Sequence, residues 1–390
     1  MILLLQVCLK FLVIENYKIL KTKLIYVLSD IDKAVAFEWI VQQIDKEKIE
    51  LNFVLLNDKE SYIEKFLIKN NIHLKRIYLK TKKDYPQAFI SLVKEINLIK
   101  PDIIHTHLFD ANVLGLLASK ILGIKKRIYT RHHSTFHHDN FPKAVILDKM
   151  VNYLATDIIA ISKNVKNILI EKESVKDSKI TLIHHGFDLK SFENVNENEI
   201  QALRQKYIPH SQSPVIGVIA RYINWKGHKS QVQAFKKILN DFPNAFFLFA
   251  NAKGPNKKEI SDFIKQNIPQ KNYIEIEFEN NLFALYKLFD VYVHTPVNSQ
   301  IEAFGQTYIE ALASGVPSVF TISGIANEFI ENNKNALVVD YNNPEQIYNS
   351  ISKILKNDSL QKELIDNGKK AILQFSLRNF IHKLEHLYLK

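Results

Sequence analysis

The chain contains little glycine and cysteine, and it has no long hydrophobic run. Of its 390 residues, 10 are glycine and one is cysteine, Cys8. A single cysteine excludes an internal disulfide and fits a reducing compartment. The apolar stretch MILLLQVCLKFLVI at residues 1–14 is too short to span a bilayer and lacks the cleavage site of a signal peptide. We expect residues 1–20 to be an N-terminal extension, either an added tail, which we favour, or a short interfacial anchor.

The chain is basic, and its charge is unevenly distributed. The formal net charge is +11, and residues 1–195 carry 30 lysines and arginines against 22 acidic residues. A basic N-terminal half could face anionic lipid or an acidic acceptor. A compositional bias toward Lys, Asn and Ile explains the charge equally well. The basic residues are dispersed, and no helix-turn-helix, zinc-finger or RNP1-like pattern occurs, which argues against nucleic acid as a partner.

Short β-rich runs alternate with amphipathic stretches along most of the chain. In the first half, the predicted strands cover residues 24–28, 51–56, 77–79, 103–105, 127–130, 158–161 and 180–183. In the second half, they cover residues 215–220, 245–250, 291–294, 318–320 and 336–339. Such alternation predicts an α/β protein with parallel sheets covered by helices on both faces. The polar stretch 188–214 interrupts the pattern, and we interpret it as a linker between two Rossmann-like domains, whose ligands should lie at the carboxyl ends of the strands.

The run QIEAFGQTYIEALASGVPSV at residues 300–319 carries the strongest signal for a ligand site. We predict that Phe304, Gly305 and Gln306 begin a helix whose first N–H groups lack internal partners and can bind an anion. Glu302 stands at the mouth of this turn, and Glu310 lies ~12 Å further along the helix. A site of this length suits a ligand with a sugar at one end, a diphosphate in the middle and a ribose at the other. On spacing alone, an amphipathic helix with two solvated glutamates is the favoured alternative.

Two further loops follow predicted strands. In ARYINWKGH, Arg221 and Lys226 could hold a diphosphate and offset charge on a leaving group, or they could be two solvated surface cations. In YTRHHSTFHHDN, four histidines within seven residues could form a metal site. Adjacent His-His pairs lack the regular ligand spacing of zinc sites, so we favour a site without metal.

The 300–319 stretch resembles the E-x7-E motif of retaining GT-B glycosyltransferases, most closely glycosyltransferase family 4, and the similarity extends over residues 24–390. The resemblance implies an α/β GT-B fold, with two Rossmann-like domains facing a central cleft and a C-terminal helix that crosses back to the N-terminal domain. The implied domains are residues 21–205, which bind the acceptor, and 206–374, which bind the nucleotide sugar, with a closing helix at 375–390.

The resemblance also implies roles for individual residues of the donor site. Arg221 and Lys226 match an R…KG element that binds the donor pyrophosphate. Glu302 would contact sugar hydroxyls, and Glu310 would contact the ribose. A Thr-Arg-His match at residues 130–132 assigns His132 to the transferred sugar, with His133 as the fallback. We also expect His133 to lie on the acceptor side.

The acceptor side departs from the family pattern. The loop SDIDKAVAFEW has no glycine where many members have a Gly-Gly pair, so we expect Ser29 or Asp30 to meet the acceptor instead. In PDIIHTHLFDAN, we interpret His105 as a packing residue and His107 as a cleft-lining residue. Ser162, which follows a predicted strand, is well placed as a helix N-cap.

The expected function is that of a retaining, hexosyltransferase-type enzyme that moves a sugar from a nucleotide-diphosphate sugar to a glycan or lipid-linked acceptor. The pathway would be surface polysaccharide or lipopolysaccharide biosynthesis, and the location would be the cytoplasm or the inner face of an anionic membrane. No D-x-D occurs near the predicted donor site, so we expect neither a metal nor another cofactor. The alternatives are a nucleotide-sugar epimerase or an inverting transferase of the same fold, and a non-catalytic glycan-binding protein.

Overall fold

The computed structural model describes residues 21–210 and 212–390, and it confirms the predicted α/β fold of two parallel sheets. Thirteen strands occur among these residues: β1 Thr22–Ser29, β2 Ile49–Leu56, β3 His73–Ile77, β4 Ile103–His107, β5 Lys126–Arg131, β6 Asp157–Ala160, β7 Ile180–Leu182, β8 Val215–Ile219, β9 Phe246–Ala250, β10 Tyr273–Ile276, β11 Val291–His294, β12 Ser318–Phe320 and β13 Leu337–Val338. The first sheet has the order β3-β2-β1-β4-β5-β6-β7, and the second has the order β10-β9-β8-β11-β12-β13.

Helices connect the strands, as parallel pairing requires. Sixteen occur in the described part of the chain: α1 Val35–Gln43, α2 Tyr62–Lys69, α3 Tyr85–Ile99, α4 Phe109–Ile121, α5 Phe136–Asn140, α6 Ala144–Leu154, α7 Lys163–Glu171, α8 Leu189–Glu193, α9 Glu197–Tyr207, α10 His228–Asp241, α11 Lys257–Asn267, α12 Leu282–Tyr286, α13 Gln306–Ala313, α14 Pro344–Leu355, α15 Asp358–Ala371 and α16 Leu377–Leu389. None of them is both long enough and apolar enough to cross a bilayer.

Strands β8 and β9 of the second sheet are apolar along their whole length, as expected for parallel strands that helices cover on both faces. In β8, all five residues of VIGVI are buried, and so are all five residues of FFLFA in β9. Stacked rings of Phe235 and Phe247, 4.5 Å apart, join α10 to β9. The strand ends are thereby held on a rigid layer, and the loops that follow them carry the polar residues.

The chain divides into two compact units. Among the described residues, the first comprises 21–130, 150–158 and 381–390, and the second comprises 131–149 and 159–380. Inside the first unit, the end of α16 packs on the sheet, where the Tyr388 hydroxyl lies 2.6 Å from the Tyr26 hydroxyl and 2.7 Å from His105 Nδ1. The C-terminal helix thus crosses back to the first unit, as the resemblance implied. The predicted domain boundaries at residues 205 and 374 stay a prediction.

Two sequence-based assignments need correction. The stretch interpreted as a linker contains α8 and α9. The residue before α9, Asn196, caps the helix because its side chain accepts from the Asn198 N–H at 2.9 Å. Leu203 is the one buried residue of α9, so the helix has a polar sequence, and we interpreted that sequence as a linker. The sequence also failed to predict β10, an edge strand with the short, half-exposed sequence YIEI.

Candidate functional site

A cavity of about 370 Å³ lies inside the second compact unit. Three segments supply most of its wall: the loop after β5, the loop between β8 and α10, and the segment before α13. The lining residues are His132, His133, Ser134, Phe136, Ile161, His185, Arg221, Ile223, Trp225, Lys226, Ile301, Glu302, Ala303, Phe304, Gly305 and Gln306. The structure therefore brings together, around one space, eight of the nine residues predicted from the donor motifs and the His-His pair.

The start of α13 forms one side of this cavity. Gly305 is the N-cap residue of α13, with φ of 88°, a left-handed conformation that favours glycine. A Cβ atom at this position would lie 2.7 Å from two ring carbons of Tyr308. The helix begins at Gln306, which lines the cavity, so its first N–H groups are at the cavity wall. The sequence placed this helix start correctly, with Phe304 as the buried residue that precedes the turn.

Glu302 is buried and paired with a cation. Its Oε1 lies 2.5 Å from Lys226 Nζ and 3.3 Å from His294 Nε2, while its backbone N–H donates to Ser323 Oγ. Burial by itself would raise the pKa of Glu302, but Lys226 and His294 outweigh this effect and lower the pKa to about 2. The carboxylate is therefore ionised at neutral pH, and it holds the lysine ammonium at the cavity wall.

The loop that carries Arg221 and Lys226 packs against the residue that follows β11. Gly227 adopts φ of 77°, and a Cβ atom there would lie 2.0 Å from the Thr295 carbonyl oxygen. The side-chain amide of Gln231 donates to the Lys226 carbonyl at 3.2 Å and to Thr295 Oγ1 at 3.0 Å. Arg221, by contrast, is exposed and lines the cavity from the other end of the loop. Lys226 is thus held by neighbouring side chains, whereas Arg221 is exposed to solvent.

Side chains from distant parts of the second unit fasten the irregular segment 300–303. Ser134 Oγ donates to the Ile301 carbonyl at 3.0 Å, and Ser162 Oγ donates to the Ala303 carbonyl at 2.5 Å. Asn164 Nδ2 donates to the carbonyls of residues 300 and 302 at 3.0 and 2.8 Å. Ser162 also accepts from the Val165 N–H, which confirms it as the N-cap of α7. The backbone around Glu302 therefore owes its shape to side-chain donors rather than to regular secondary structure.

The predicted sugar-facing residue, His132, lines the cavity beside a histidine that the sequence analysis did not select. The rings of His132 and His185 are stacked, with centroids 5.7 Å apart and planes 12° apart. His185 also meets the ring of Phe304 edge-on at 4.8 Å. Burial, reinforced by the neighbouring His184, lowers the pKa of His185 to about 4, so the ring is neutral at physiological pH. Its position before Gly186, in the turn motif IHHGFD, was the available signal.

Glu310 is placed differently from the other donor-site predictions. It lies in α13, is only 8% exposed, and is not among the residues that line the cavity. Its Oε2 accepts a hydrogen bond of 2.9 Å from the Tyr286 hydroxyl. Burial raises the pKa of Glu310 to about 7, although the bond from Tyr286 acts in the opposite direction. The ribose contact assigned to Glu310 stays a prediction.

The raised pKa of Glu310 predicts a pH-dependent stability. A buried acid whose pKa rises from 4.5 to about 7 binds its proton more tightly when folded, so its contribution falls as pH rises between these values. We expect Glu310→Gln, which removes the titration, to gain on the order of 3 kcal/mol relative to the wild type between the two pH limits. Denaturant unfolding of both proteins across this range measures the difference. A stability difference that does not change with pH would contradict the prediction that burial raises the pKa of Glu310.

Three of the four residues predicted on the acceptor side lie in the first compact unit, whereas the fourth, His133, lines the cavity in the second unit. Ser29 is buried, and its Oγ accepts from the Ala111 N–H at 3.2 Å. His107 is buried as well, with its ring 4.9 Å from that of Phe37. Asp30 lines a separate cavity of about 340 Å³ that Asp110 also borders. These three residues therefore do not share one wall, and their acceptor roles stay predictions.

Comparison with known proteins agrees with this geometry. The family model described as glycosyl transferases group 1 matches residues 199–371, and that described as Glycosyltransferase Family 4 matches residues 40–191. Together they cover most of the chain, and the first match contains the Arg221–Lys226 loop and the Glu302–Glu310 segment.

Named relatives belong to the same class. The capsular polysaccharide biosynthesis glycosyltransferase CapM of Staphylococcus aureus is 27% identical over 312 residues, which cover 76% of this chain and 80% of CapM. A UDP-Gal:alpha-D-GlcNAc-diphosphoundecaprenol alpha-1,3-galactosyltransferase of Escherichia coli is 22% identical, over 78% of this chain and 79% of its own length. The crystal structure of Anabaena HepE in complex with UDP and glucose superposes with a TM-score of 0.81 at 17% identity, covering 94% of this chain and 99% of HepE. The chain is therefore a glycosyltransferase of family 4 with the GT-B fold.

Proposed function

We propose that this glycosyltransferase is a retaining enzyme of the hexosyltransferase type. Its donor would be a nucleotide-diphosphate sugar, and its acceptor a glycan or a lipid-linked glycan of surface polysaccharide or lipopolysaccharide biosynthesis. The observation that carries the proposal is the cavity in which the Lys226–Glu302 pair, Arg221 and the Gly305 helix start line one space. The relatives support the class of substrate, since their names include a UDP-sugar donor and a diphosphate-linked lipid acceptor.

The donor would bind with its diphosphate over the start of α13. Helix N-termini bind phosphate through free N–H groups and the helix dipole, and the backbone at Gly305 offers no Cβ that would block the approach. Arg221 and Lys226 would flank the diphosphate from the opposite loop. Glu302, ionised and fixed by Lys226, would accept hydrogen bonds from sugar hydroxyls beside His132.

The chemical step would be a front-side displacement at the anomeric carbon. The bond from that carbon to the diphosphate oxygen breaks, with its electron pair leaving on the diphosphate, while the acceptor oxygen bonds on the same face. The leaving diphosphate oxygen takes the acceptor hydroxyl proton. Two cations and the helix-start amides stabilise the negative charge that develops on the diphosphate. We propose that no metal takes part, and we expect added Mg²⁺ or Mn²⁺ to change kcat less than about twofold.

A donor screen tests the proposal most directly. Purified protein is incubated with UDP-, GDP- and ADP-sugars, and its thermal stability is recorded, because a ligand that binds the folded state stabilises it by an amount that grows with the ratio of its concentration to its Kd. The stabilising donor is then supplied with lipid-linked acceptors, and the anomeric configuration of the product is read by NMR. Interconversion of the donor without an acceptor would indicate an epimerase, an inverted product would exclude retention, and the absence of any stabilising donor would favour a non-catalytic glycan-binding protein.

Measuring donor binding by a Gly305 variant tests the proposed diphosphate position directly. Gly305→Ala would place a methyl group against the Tyr308 ring and at the proposed diphosphate position. We expect the variant to bind the stabilising nucleotide sugar at least about tenfold more weakly, because the methyl group would block the diphosphate. A tenfold loss corresponds to about 1.4 kcal/mol of binding free energy. Gly315→Ala is the matched control, because it also has positive φ but lies at the far end of α13. Equal affinity in the two variants would contradict the proposed donor position.

The location stays a proposal as well. We propose that the protein works at the cytoplasmic face of an anionic membrane, as its basic N-terminal half and the lipid-linked acceptor of one relative would suit. Co-sedimentation with vesicles containing phosphatidylglycerol, against vesicles of phosphatidylcholine alone, tests this. Equal binding to both would contradict an electrostatic attachment.

A further inference from the structure

A second group of titratable side chains lies beside the proposed donor cavity, in residues 131–149 of the second compact unit, and one of its members, His133, also lines that cavity. His133 follows β5, and His137 is four residues later, in α5. Asp148 reaches the same place from α6. His133 Nε2 lies 3.3 Å from Asp148 Oδ2, and His137 Nδ1 lies 2.7 Å from the same oxygen. Two imidazoles and a carboxylate thus converge at a single point, and the proposed sugar transfer uses neither His137 nor Asp148.

The spacing of these atoms fits a small divalent ion. The three potential ligand atoms lie within 4.8 Å of one another. Zinc takes nitrogen and carboxylate ligands at about 2.0–2.2 Å, which in a tetrahedron sets the ligand atoms about 3.3–3.5 Å apart. The contact between His133 and Asp148 already has this length, and the contact between His137 and Asp148 must lengthen by roughly half an ångström. The adjustment is within the reach of side-chain rotation in the short helix α5.

A buried arginine orients the carboxylate. Arg131, which is 1% exposed, places Nη1 3.2 Å from Asp148 Oδ1, and its Nη2 lies 2.5 Å from Glu173 Oε1. The guanidinium therefore occupies the Oδ1 side of Asp148 and turns Oδ2 toward the two rings. Fixing a ligand through its outer contacts is what the surroundings of metal sites do. Because Glu173 offsets the charge of Arg131, the charge of Asp148 remains available for a cation.

We propose that His133, His137 and Asp148 bind a divalent transition-metal ion, with a fourth position open to water. Two imidazoles with one carboxylate select zinc-like ions such as Zn²⁺, Co²⁺ or Ni²⁺ over Mg²⁺ and Ca²⁺, which prefer oxygen ligands alone. The ion would link the loop after β5 to α6, and this loop carries His132 to the cavity. Its role would be to hold His132 in place, and it is separate from the proposed transfer chemistry.

Titration of the full-length, untagged protein with Co²⁺ tests the proposal, because tetrahedral Co²⁺ bound to nitrogen and oxygen absorbs visible light. After EDTA treatment and dialysis, we expect saturation at one ion per chain and a rise in thermal stability with added Zn²⁺. His137→Ala and Asp148→Asn should each weaken binding at least about tenfold. His138→Ala is the matched control, since His138 is the next residue and contacts Glu173 rather than Asp148; it should retain the wild-type affinity.

Three outcomes would overturn the proposal. Absence of Co²⁺ binding would leave the cluster as a network of hydrogen bonds only. Equal weakening by His137→Ala and His138→Ala would show adventitious binding by a histidine-rich loop. Retention of binding in Asp148→Asn, with the metal-free stability of each variant recorded to exclude unfolding, would remove the carboxylate from the site.

Discussion

Replacing Lys226 with alanine is expected to lower kcat/KM for sugar transfer by about 10²–10³-fold, the usual cost of removing one group that stabilises charge in the transition state. Lys226 lies 2.5 Å from Glu302 and lines the cavity, so the substitution removes a cation from the proposed diphosphate site. It also leaves a buried carboxylate without its charge partner. Steady-state kinetics with the stabilising donor measures the effect.

Two control variants separate the chemical effect from damage to the fold. Lys229→Ala removes a lysine three residues away, which is exposed and paired with Glu259, and it should change kcat/KM less than about twofold. Arg221→Ala removes the other cavity cation, which is exposed, so it should lower activity without a change in melting temperature. If Lys226→Ala and Arg221→Ala both turn over at close to the wild-type rate, the diphosphate does not bind between them.

Substitution of Arg131 by methionine is expected to cost about 3–5 kcal/mol of stability, the range for breaking a buried ion pair from one side. The guanidinium contacts Asp148 and Glu173, whose side chains are 4% and 0% exposed. Methionine fills a similar volume but leaves two buried carboxylates without their cation. Chemical denaturation followed by circular dichroism measures the loss.

The matched control is Arg76→Met in the first unit. Arg76 contacts Glu64 at 3.3 Å, but its side chain is 40% exposed, and water can replace the lost interaction. We expect this variant to lose less than about 1 kcal/mol. A loss in Arg131→Met that is no larger than the loss in Arg76→Met would mean that the buried carboxylates are hydrated or protonated without penalty.

Much of the fold could be predicted because its strands are buried on both faces. Runs such as VIGVI and FFLFA are continuous and apolar, and they give a signal that does not depend on neighbours. The edge strand β10 was missed because half of its residues are only partly buried. Helix α9 was taken for a linker because it buries only one side chain, so its sequence is polar and lacks the apolar face typical of a packed helix.

The site could be predicted in its components but not in its pairings. The motifs identified Lys226 and Glu302 separately as ligand contacts, whereas the structure pairs them with each other across 76 positions of sequence. His294 was missed because a histidine at the end of an apolar strand reads as core, and its approach to Glu302 becomes visible only when β11 is placed. The same holds for Asp148, whose partners lie in another helix and a loop.

The attachment of residues 300–303 by Ser134, Ser162 and Asn164 bears on how this enzyme could evolve or be redirected. Neither Ser162 nor Asn164 lines the cavity, yet Ser162 holds the Ala303 carbonyl and Asn164 holds the carbonyl of Glu302 itself. Substitutions at these two positions would shift the Glu302 backbone without altering its carboxylate. Libraries intended to change donor preference should therefore include these two positions. Substitutions there would shift Glu302 by small amounts, whereas substitution of Glu302 itself would remove its carboxylate.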